Sequence, residues 1–314
     1  MTNRYVITGG LGNQLFQYAA AISLEAKVSP QIELEMNLGK PRSTNGIPDL
    51  EFFELIDTNM RNSWSSILNR ALGLSLRNNL ILSSARRIRF SKKITQGLLS
   101  ILASLFLNRP TLLRSPSNLG WDPNFSVGHS YRLVIGYFQS YKYATSNRST
   151  FQTLRGLKLK NESPQVVKYR ELSLLQSPLV VHVRRGDYVS EASFGILAPE
   201  YYQDIIRNVY SSGRYKKIWL FSDDFVEAAT CIPEELMSEV MLIDEIDNSP
   251  ACTLQVMRFG KAYVIANSSY SWWGAFLSLN QDSEVHAPFP WFKGMPSPNE
   301  ILPPSWVRHP SIFR

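Results

Sequence analysis

The second half of this chain alternates strand-forming and helix-forming segments with little slack between them. PLVVHVRR (178–185) reads as a buried strand and PEYYQDIIRNVY (199–210) as a helix with proline in its first turn. KKIWLFSDD, EVMLID and KAYVIANSS read as further strands, separated by the helical FVEAATCI and ACTLQVMRFG and followed by the helical SYSWWGAFLSLN. EVHAPFPW closes the series as a short strand and loop. Strands that alternate with helices form a parallel sheet with helices on both faces. This pattern fixes the fold class as α/β.

The N-terminal half opens in the same way. RYVITGG (4–10) reads as a strand, and LGNQLFQYAAAISLEAKV as a turn and helix with Leu15, Tyr18, Ala19, Ile22 and Ala26 on one face. A strand, a glycine turn and a helix make a Rossmann-type opening. The dinucleotide pattern G-x-G-x-x-G needs a glycine where Leu15 stands, so nicotinamide or flavin binding is not expected. Residues 61–113 read as amphipathic helices, YRLVIGYFQSYKY (131–143) as a strand and an aromatic loop, and STFQTLRGLKL as a helix. A polar, proline-containing stretch near 155–165 marks the boundary. The expected domains are 1–160, with a basic helical insertion at about 58–121, and 161–314.

Charge and cysteine usage exclude several classes. The chain of 314 residues carries a formal charge of +7. Between Thr58 and Trp121 stand ten Lys or Arg residues and no acidic one, so the remainder is slightly acidic. Basicity confined to one segment, with no recognition motif beside it, argues against a nucleic-acid partner. Cys231 and Cys252 are the only cysteines and form no C-x-x-C pair, so neither a disulfide framework nor a zinc site is expected. The longest helical apolar run, LLSILASLFL (98–107), has ten residues, about half of what a spanning helix needs. The N-terminus lacks the features of a signal peptide.

In an open α/β sheet, ligands bind beyond the carboxyl ends of the strands. Three strands of the second half end in polar clusters: HVRRGDY (182–188), FSDD (221–224) and NSSYSWW (267–273). Arg184 and Arg185 offer planar donor forks to phosphate oxygens. The hydroxyls of Ser268, Ser269 and Ser271, with the N–H groups opening the next helix, form an anion cradle. Asp223 and Asp224 are acceptors for a ribose or a purine, and the N1 and N2 donors of guanine suit them. The expected ligand is a nucleoside diphosphate with guanine favoured. Each feature also has a purely structural reading: an Arg–Asp ion pair, a helix N-cap at FSDD, a Trp272–Trp273 core pair, a buried imidazole at His182. Their coincidence at strand ends favours a site. No D-x-D triplet occurs, and a metal is not expected because the paired arginines neutralise the diphosphate.

GGLGNQLFQYA (9–19), HVRRGDY, FSDD and ANSSYSWWGAFL (266–277) together resemble the bacterial α-1,2-fucosyltransferases of glycosyltransferase family 11. The motifs span nearly the whole chain in family order. H-x-R-R-x-D is shared with α-1,6- and protein O-fucosyltransferases, whereas the full set is specific. The segment before the third motif departs from the family: ACTLQVMRFGKAYVIANSS has Cys252 early and Gly260 where a cysteine is usual.

The resemblance implies a GT-B fold, with two Rossmann-like domains facing a central cleft. It implies GDP-L-fucose as donor, a terminal galactose-type β-galactoside as acceptor, inverting transfer to its 2-OH, and no metal or other cofactor. Arg184 is implied at the β-phosphate and His182 near the nucleotide. Ser222, Asp223 and Asp224 are implied near guanine or ribose, and Asn267, Ser268, Ser269, Tyr270 and Ser271 at the phosphates. Gly10, Gly12, Asn13 and Gln14 are implied on the acceptor side of the cleft. The expected catalytic set is Arg184 and Arg185 with Asp187 and Glu191, and the base stays open among Asp187, Glu191, another residue and no single strong base. A role in surface-polysaccharide or O-antigen synthesis is expected, in the cytoplasm or peripherally on the inner face of the membrane. There the basic segment would meet anionic lipid carrying a lipid-linked acceptor. The competing readings are a fucosyltransferase of another linkage (α-1,6 or protein O-linked) and a non-catalytic glycan- or nucleotide-binding module.

Overall fold

The computed structural model describes residues 3–25, 32–36, 49–55, 58–61, 112–127, 132–146, 148–186 and 192–314. The chain divides into two compact units: Met1–Leu157 with Pro298–Ile301, and Lys158–Ser297 with Leu302–Arg314. A boundary drawn once along the chain cannot convey the return of Pro298–Ile301 to the first unit.

The first unit holds a five-stranded sheet in the order β3-β2-β1-β5-β4. Its strands are β1 (Arg4–Ile7), β2 (Ile32–Met36), β3 (Thr58–Arg61), β4 (Leu112–Arg114) and β5 (Arg132–Val134), all paired in parallel. Every residue of the central β1 is buried, as a strand covered on both faces requires. Helix α1 (Leu11–Glu25) buries residues all round, among them Leu15, Phe16, Tyr18 and Ala19–Ala21. Short helices α2 (Tyr141–Ala144) and α3 (Arg148–Arg155) pack against it. The returning segment is tied in by backbone and side chain. Trp121 N–H donates to the Asn299 carbonyl at 3.0 Å, and Tyr141 N–H and Ser140 Oγ–H donate to that of Glu300 at 3.1 and 2.7 Å.

The margins of the stretch read as helical are strands instead: β3 includes Arg61, and β4 begins at Leu112. Both are short outer strands defined by pairing with β2 and β5, and TNMR and LLR carry no periodic signal of their own. Residues 62–111, the bulk of the expected basic insertion, lie outside the described residues. The expected elements also omit β2, although IELEM alternates apolar and acidic residues as a strand does.

The second unit holds six parallel strands in the order β11-β10-β9-β6-β7-β8. They are β6 (Leu179–Val183), β7 (Ile218–Ser222), β8 (Val240–Leu242), β9 (Ala262–Val264), β10 (Glu284–Phe289) and β11 (Val307–Pro310). Its helices are α4 (Pro164–Gln176), α5 (Pro199–Tyr210), α6 (Phe225–Ala229), α7 (Pro250–Met257) and α8 (Ser269–Phe276). Proline opens α4, α5 and α7, where a missing N–H costs nothing. Ser163, Asp224, Ser249 and Ser268 cap α4, α6, α7 and α8. Val181, Tyr202, Ile206, Leu220 and Val264 lie in one core. Counted from β8 to β11, the strands run third, second, first, fourth, fifth, sixth in chain order, the doubly wound arrangement. Its switch point falls between β6 and β9. The Trp272–Trp273 pair is core: both rings are fully buried, and Trp272 stacks on Phe276 at 4.7 Å.

Buried Gln17 fastens the end of β1 to the loop after β5. Its Oε1 accepts from Thr8 N–H at 2.8 Å and its Nε2 donates to the Gly136 carbonyl at 3.1 Å. Replacing it with leucine strands a donor and an acceptor, so Gln17→Leu is expected to cost about 2–4 kcal/mol in urea unfolding. A loss below about 0.5 kcal/mol would show that water or another group satisfies both.

Candidate active site

β6 delivers its polar cluster to the switch point. His182, its fourth residue, is buried, with no hydrogen-bond partner for Nδ1. Burial, reinforced by the Arg184 charge, lowers its pKa to about 3. The imidazole is therefore neutral at physiological pH. Its ring centroid lies 6.1 Å from that of Tyr270, in the first turn of α8.

The two arginines after β6 part company. Arg184 is partly exposed, and its Nη1 lies 2.8 Å from Asp223 Oδ2 at the end of β7. Arg185 is 3% exposed and turns inward. Its Nη1 donates to the Leu197 carbonyl at 3.0 Å and its Nη2 to Cys231 Sγ at 3.0 Å, while Nε sits 4.0 Å from Glu227 Oε2. The expected double fork is thus a single partly exposed fork, because the second guanidinium is consumed inside the unit. Asp223 joins the two positions: its Oδ1 accepts from Arg185 N–H at 2.8 Å while Oδ2 pairs with Arg184. A Cβ on Gly186 would lie 2.2 Å from Asp223 Oδ2, so a side chain there would have to displace that carboxylate.

FSDD divides between pairing and capping. Ser222 Oγ–H donates to the Val183 carbonyl at 2.9 Å, holding the ends of β6 and β7 together. Asp224 caps α6, accepting from Glu227 N–H at 3.0 Å, so the N-cap reading holds for this residue. In the third cluster, Asn267 Nδ2 donates to the carbonyls of Phe194 and Gly195, both at 3.1 Å. Ser268 Oγ accepts from Tyr270 N–H at 3.3 Å, buried Ser271 donates to the Ser268 carbonyl at 3.3 Å, and Tyr270 Oη–H donates to that of Pro250 at 2.7 Å. Ser269 makes no side-chain hydrogen bond among the described residues. β9 and α8 thus bring a helix N-terminus, with its positive end, to the strand next to the arginine loop.

In the first unit the glycine turn is held by its glutamines. Gln14 Nε2 donates to the Gly9 carbonyl at 2.8 Å and its Oε1 accepts from Leu50 N–H at 3.0 Å. Asn13 Oδ1 accepts from Gln139 Nε2 at 2.9 Å. Gly12 is buried in α1, and a Cβ on Gly10 would meet nothing within 4 Å. Gln17 and Gln139, which motif reading passed over, do as much to shape this turn as Asn13 and Gln14; their polarity at buried positions, in α1 and in the loop after β5, was the available signal. Asp187 and Glu191 lie outside the described residues. Among the described residues no group of three or more His, Cys, Asp or Glu could hold a metal ion.

Gly186→Ala is expected to push Asp223 away from Arg184 and lower turnover at least tenfold with a small change in melting temperature; unchanged turnover would show that the pair is dispensable. The unfolded chain protonates His182 near pH 6.5 and the folded chain only near pH 3. The stability this histidine contributes is complete above pH 6.5 and is lost as pH falls toward 3, on the order of a few kcal/mol. His182→Gln is therefore expected to flatten the decline of the melting temperature between pH 6.5 and 4; a slope equal to the parent's would contradict the buried neutral ring.

The model of the family described as Glycosyl transferase family 11 matches residues 138–307, more than half of the chain. The O-antigen biosynthesis glycosyltransferase WbnK of Escherichia coli is 27% identical over 96% of this chain and 98% of its own length. An alpha-1,2-colitosyltransferase of Escherichia coli is 25% identical over 96% and 97%. Among solved structures, NodZ alpha-1,6-fucosyltransferase soaked with GDP-fucose is similar with a TM-score of 0.47 at 13% identity, covering 88% of this chain and 93% of that one. With its two Rossmann-like parallel α/β units, the building blocks of a GT-B enzyme, the chain belongs to glycosyl transferase family 11 and is a glycosyltransferase.

Proposed function

We propose that this glycosyltransferase moves L-fucose from GDP-L-fucose to the 2-OH of a terminal galactose-type acceptor, with inversion and without a metal, in the synthesis of O-antigen or a related surface polysaccharide. The observation that carries the reading is Arg184. It is a partly exposed guanidinium braced by Asp223 at the carboxyl end of β6, beside the strand that feeds the N-terminus of α8. That is where a doubly wound sheet receives the phosphates of a nucleotide. The names of the two curated relatives support the O-antigen setting and the α-1,2 linkage.

In this reading the acceptor hydroxyl attacks the anomeric carbon from the face opposite GDP, and the carbon–oxygen bond to the β-phosphate breaks. The electron pair leaves with GDP, so negative charge grows on the β-phosphate as Arg184 holds it. An interaction that strengthens in the transition state accelerates the step. His182, neutral, supplies a ring nitrogen without a competing cation. The base that takes the acceptor proton is assigned to the segment after Gly186, where Asp187 and Glu191 stand, and a pH–rate profile with each changed to its amide decides between them. Gly10, with open space where a side chain would be, is the first acceptor-side candidate in the glycine turn. The basic segment of about 58–121 is assigned to docking at an anionic membrane that presents a lipid-linked acceptor, at about 1 kcal/mol per basic residue near the surface. Sedimentation with liposomes that is indifferent to anionic lipid and to salt would remove that assignment.

A second reading rests on the 25% identical colitosyltransferase: the same linkage made with colitose, which lacks the 3-hydroxyl of fucose. One assay separates these. The protein is incubated with GDP-fucose or GDP-colitose and a panel of β-galactosides, with and without EDTA, and the product linkage is determined by NMR. An α-1,2-fucosylated product formed equally with chelator is expected. An α-1,6 product, colitose transfer alone, no transfer of either sugar, or loss of transfer with EDTA would each overturn a stated part. Arg184→Ala is expected to lower kcat about 10²–10³-fold, as removal of a transition-state donor does. Arg184→Lys should recover little, because one ammonium cannot reproduce the fork; near-normal turnover in the lysine variant would exclude this role.

A further inference from the structure

The loop that follows the arginine motif, 193–198, is held from three sides. Asn267 takes its carbonyls at Phe194 and Gly195. Lys293 N–H donates to the Phe194 carbonyl at 3.2 Å and Gly294 N–H to that of Ser193 at 2.9 Å. Along the remaining edge lies the segment Ser311–Arg314, which continues from β11. It forms an antiparallel bridge at Leu197 and Phe313: Ala198 N–H donates to the Ile312 carbonyl at 2.8 Å and Arg314 N–H to that of Ile196 at 2.9 Å. Gly195 has φ +78°, and a Cβ there would lie 2.6 Å from the Phe313 ring. Phe313 itself packs on the core of the unit.

This loop seats Arg185. The Leu197 carbonyl accepts from its Nη1, and Leu197 is the residue bridged to Phe313. Glu227 Oε2 lies 2.9 Å from Arg314 Nη1 and 4.0 Å from Arg185 Nε, so one carboxylate faces both guanidiniums. Arg185 in turn presents its backbone N–H to Asp223, the carboxylate that braces Arg184. The chain of contacts runs from 311–314 through the loop to Arg185, and through Asp223 to Arg184.

We propose that Arg185 is a positioning residue and that Ser311–Arg314 is the strap that seats it, so that Phe313 tunes the grip of Arg184 on the donor's diphosphate from outside the site. This rests on the donor reading above for its last link, while the link from strap to Arg185 stands on the contacts alone. It gives the buried second arginine of the motif a task other than touching phosphate. A planar fork held by a carbonyl, a sulfur and a carboxylate is a buried charge whose loss of one partner is costly, so displacing the loop shifts the whole motif.

Two measurements test the links separately. In a Cys252→Ser background Cys231 is the single thiol, and its sulfur rests against Arg185. Its alkylation by N-ethylmaleimide reports the seat without any ligand. Phe313→Ala is expected to speed alkylation at least tenfold, and Phe313→Leu to restore most of the protection. An alkylation rate in Phe313→Ala within twofold of the parent's, or no protection regained with leucine, overturns the strap. The second measurement is a cycle of GDP affinities by calorimetry for the parent, Phe313→Ala, Arg184→Ala and the double variant. Phe313→Ala alone is expected to weaken GDP about tenfold, and to change it less than twofold when Arg184 is already alanine, because groups acting through one contact are not additive. Equal effects of Phe313→Ala in both backgrounds overturn the link to Arg184 and leave the donor reading in place. GDP binding that is absent in the parent, or unaltered by Arg184→Ala alone, overturns the donor reading and that last link with it, and leaves the strap to be judged by the thiol.

Discussion

One carboxylate organises the strand-end cluster of the second unit. Asp223 accepts from the backbone of Arg185 with one oxygen and pairs with the guanidinium of Arg184 with the other. A flexible arginine carries roughly 2 kcal/mol of rotamer entropy, and a partner that holds its fork before the ligand arrives removes part of that cost from binding. The arrangement depends on Gly186 having no side chain, since the space a methyl group would fill is occupied by the carboxylate.

Around that pair, most polar residues of the strand-end motifs face the protein. Ser222 joins two strands, Asp224 and Ser268 cap helices, Asn267 holds a loop, and Arg185 is buried against a carbonyl and a sulfur. The motif is therefore a frame more than a set of ligand contacts, and its exposed members are few. A doubly wound sheet suits this division. Its parallel strands end at one edge, and the capping and loop-tying residues convert those ends into a rigid rim.

How much of this was legible in the sequence follows from what each signal measures. Most of the second unit was readable, because buried parallel strands such as LVVHV and IWLFS contrast sharply with a proline-started helix such as α5 or an aspartate-capped one such as α6, but α4, read as a polar linker, and the exposed edge strand β11 were missed. The first unit was less so, since TNMR and LLR are strands only through their partners and α1 buries polar as well as apolar residues, Gln14, Gln17 and Glu25 among them. At the site, residue type showed that Arg184, Arg185, Asp223 and Asp224 belonged together. It could not show which arginine turns inward, because that is decided by Leu197 and Cys231, which are distant in sequence and carry no motif. The cap reading and the ligand reading of FSDD predict the same letters. Only geometry separated Asp223, the ion-pair partner, from Asp224, the cap.

The return of Pro298–Ile301 to the first unit has a consequence for how the chain reaches its native state. Trp121, Ser140 and Tyr141 wait for carbonyls at Asn299 and Glu300, which emerge from the ribosome only after residues 158–297 have been made. The amino-terminal unit, although translated first, completes these hydrogen bonds only once residues after 297 have been made, so its last native contacts form after most of the second unit has been translated.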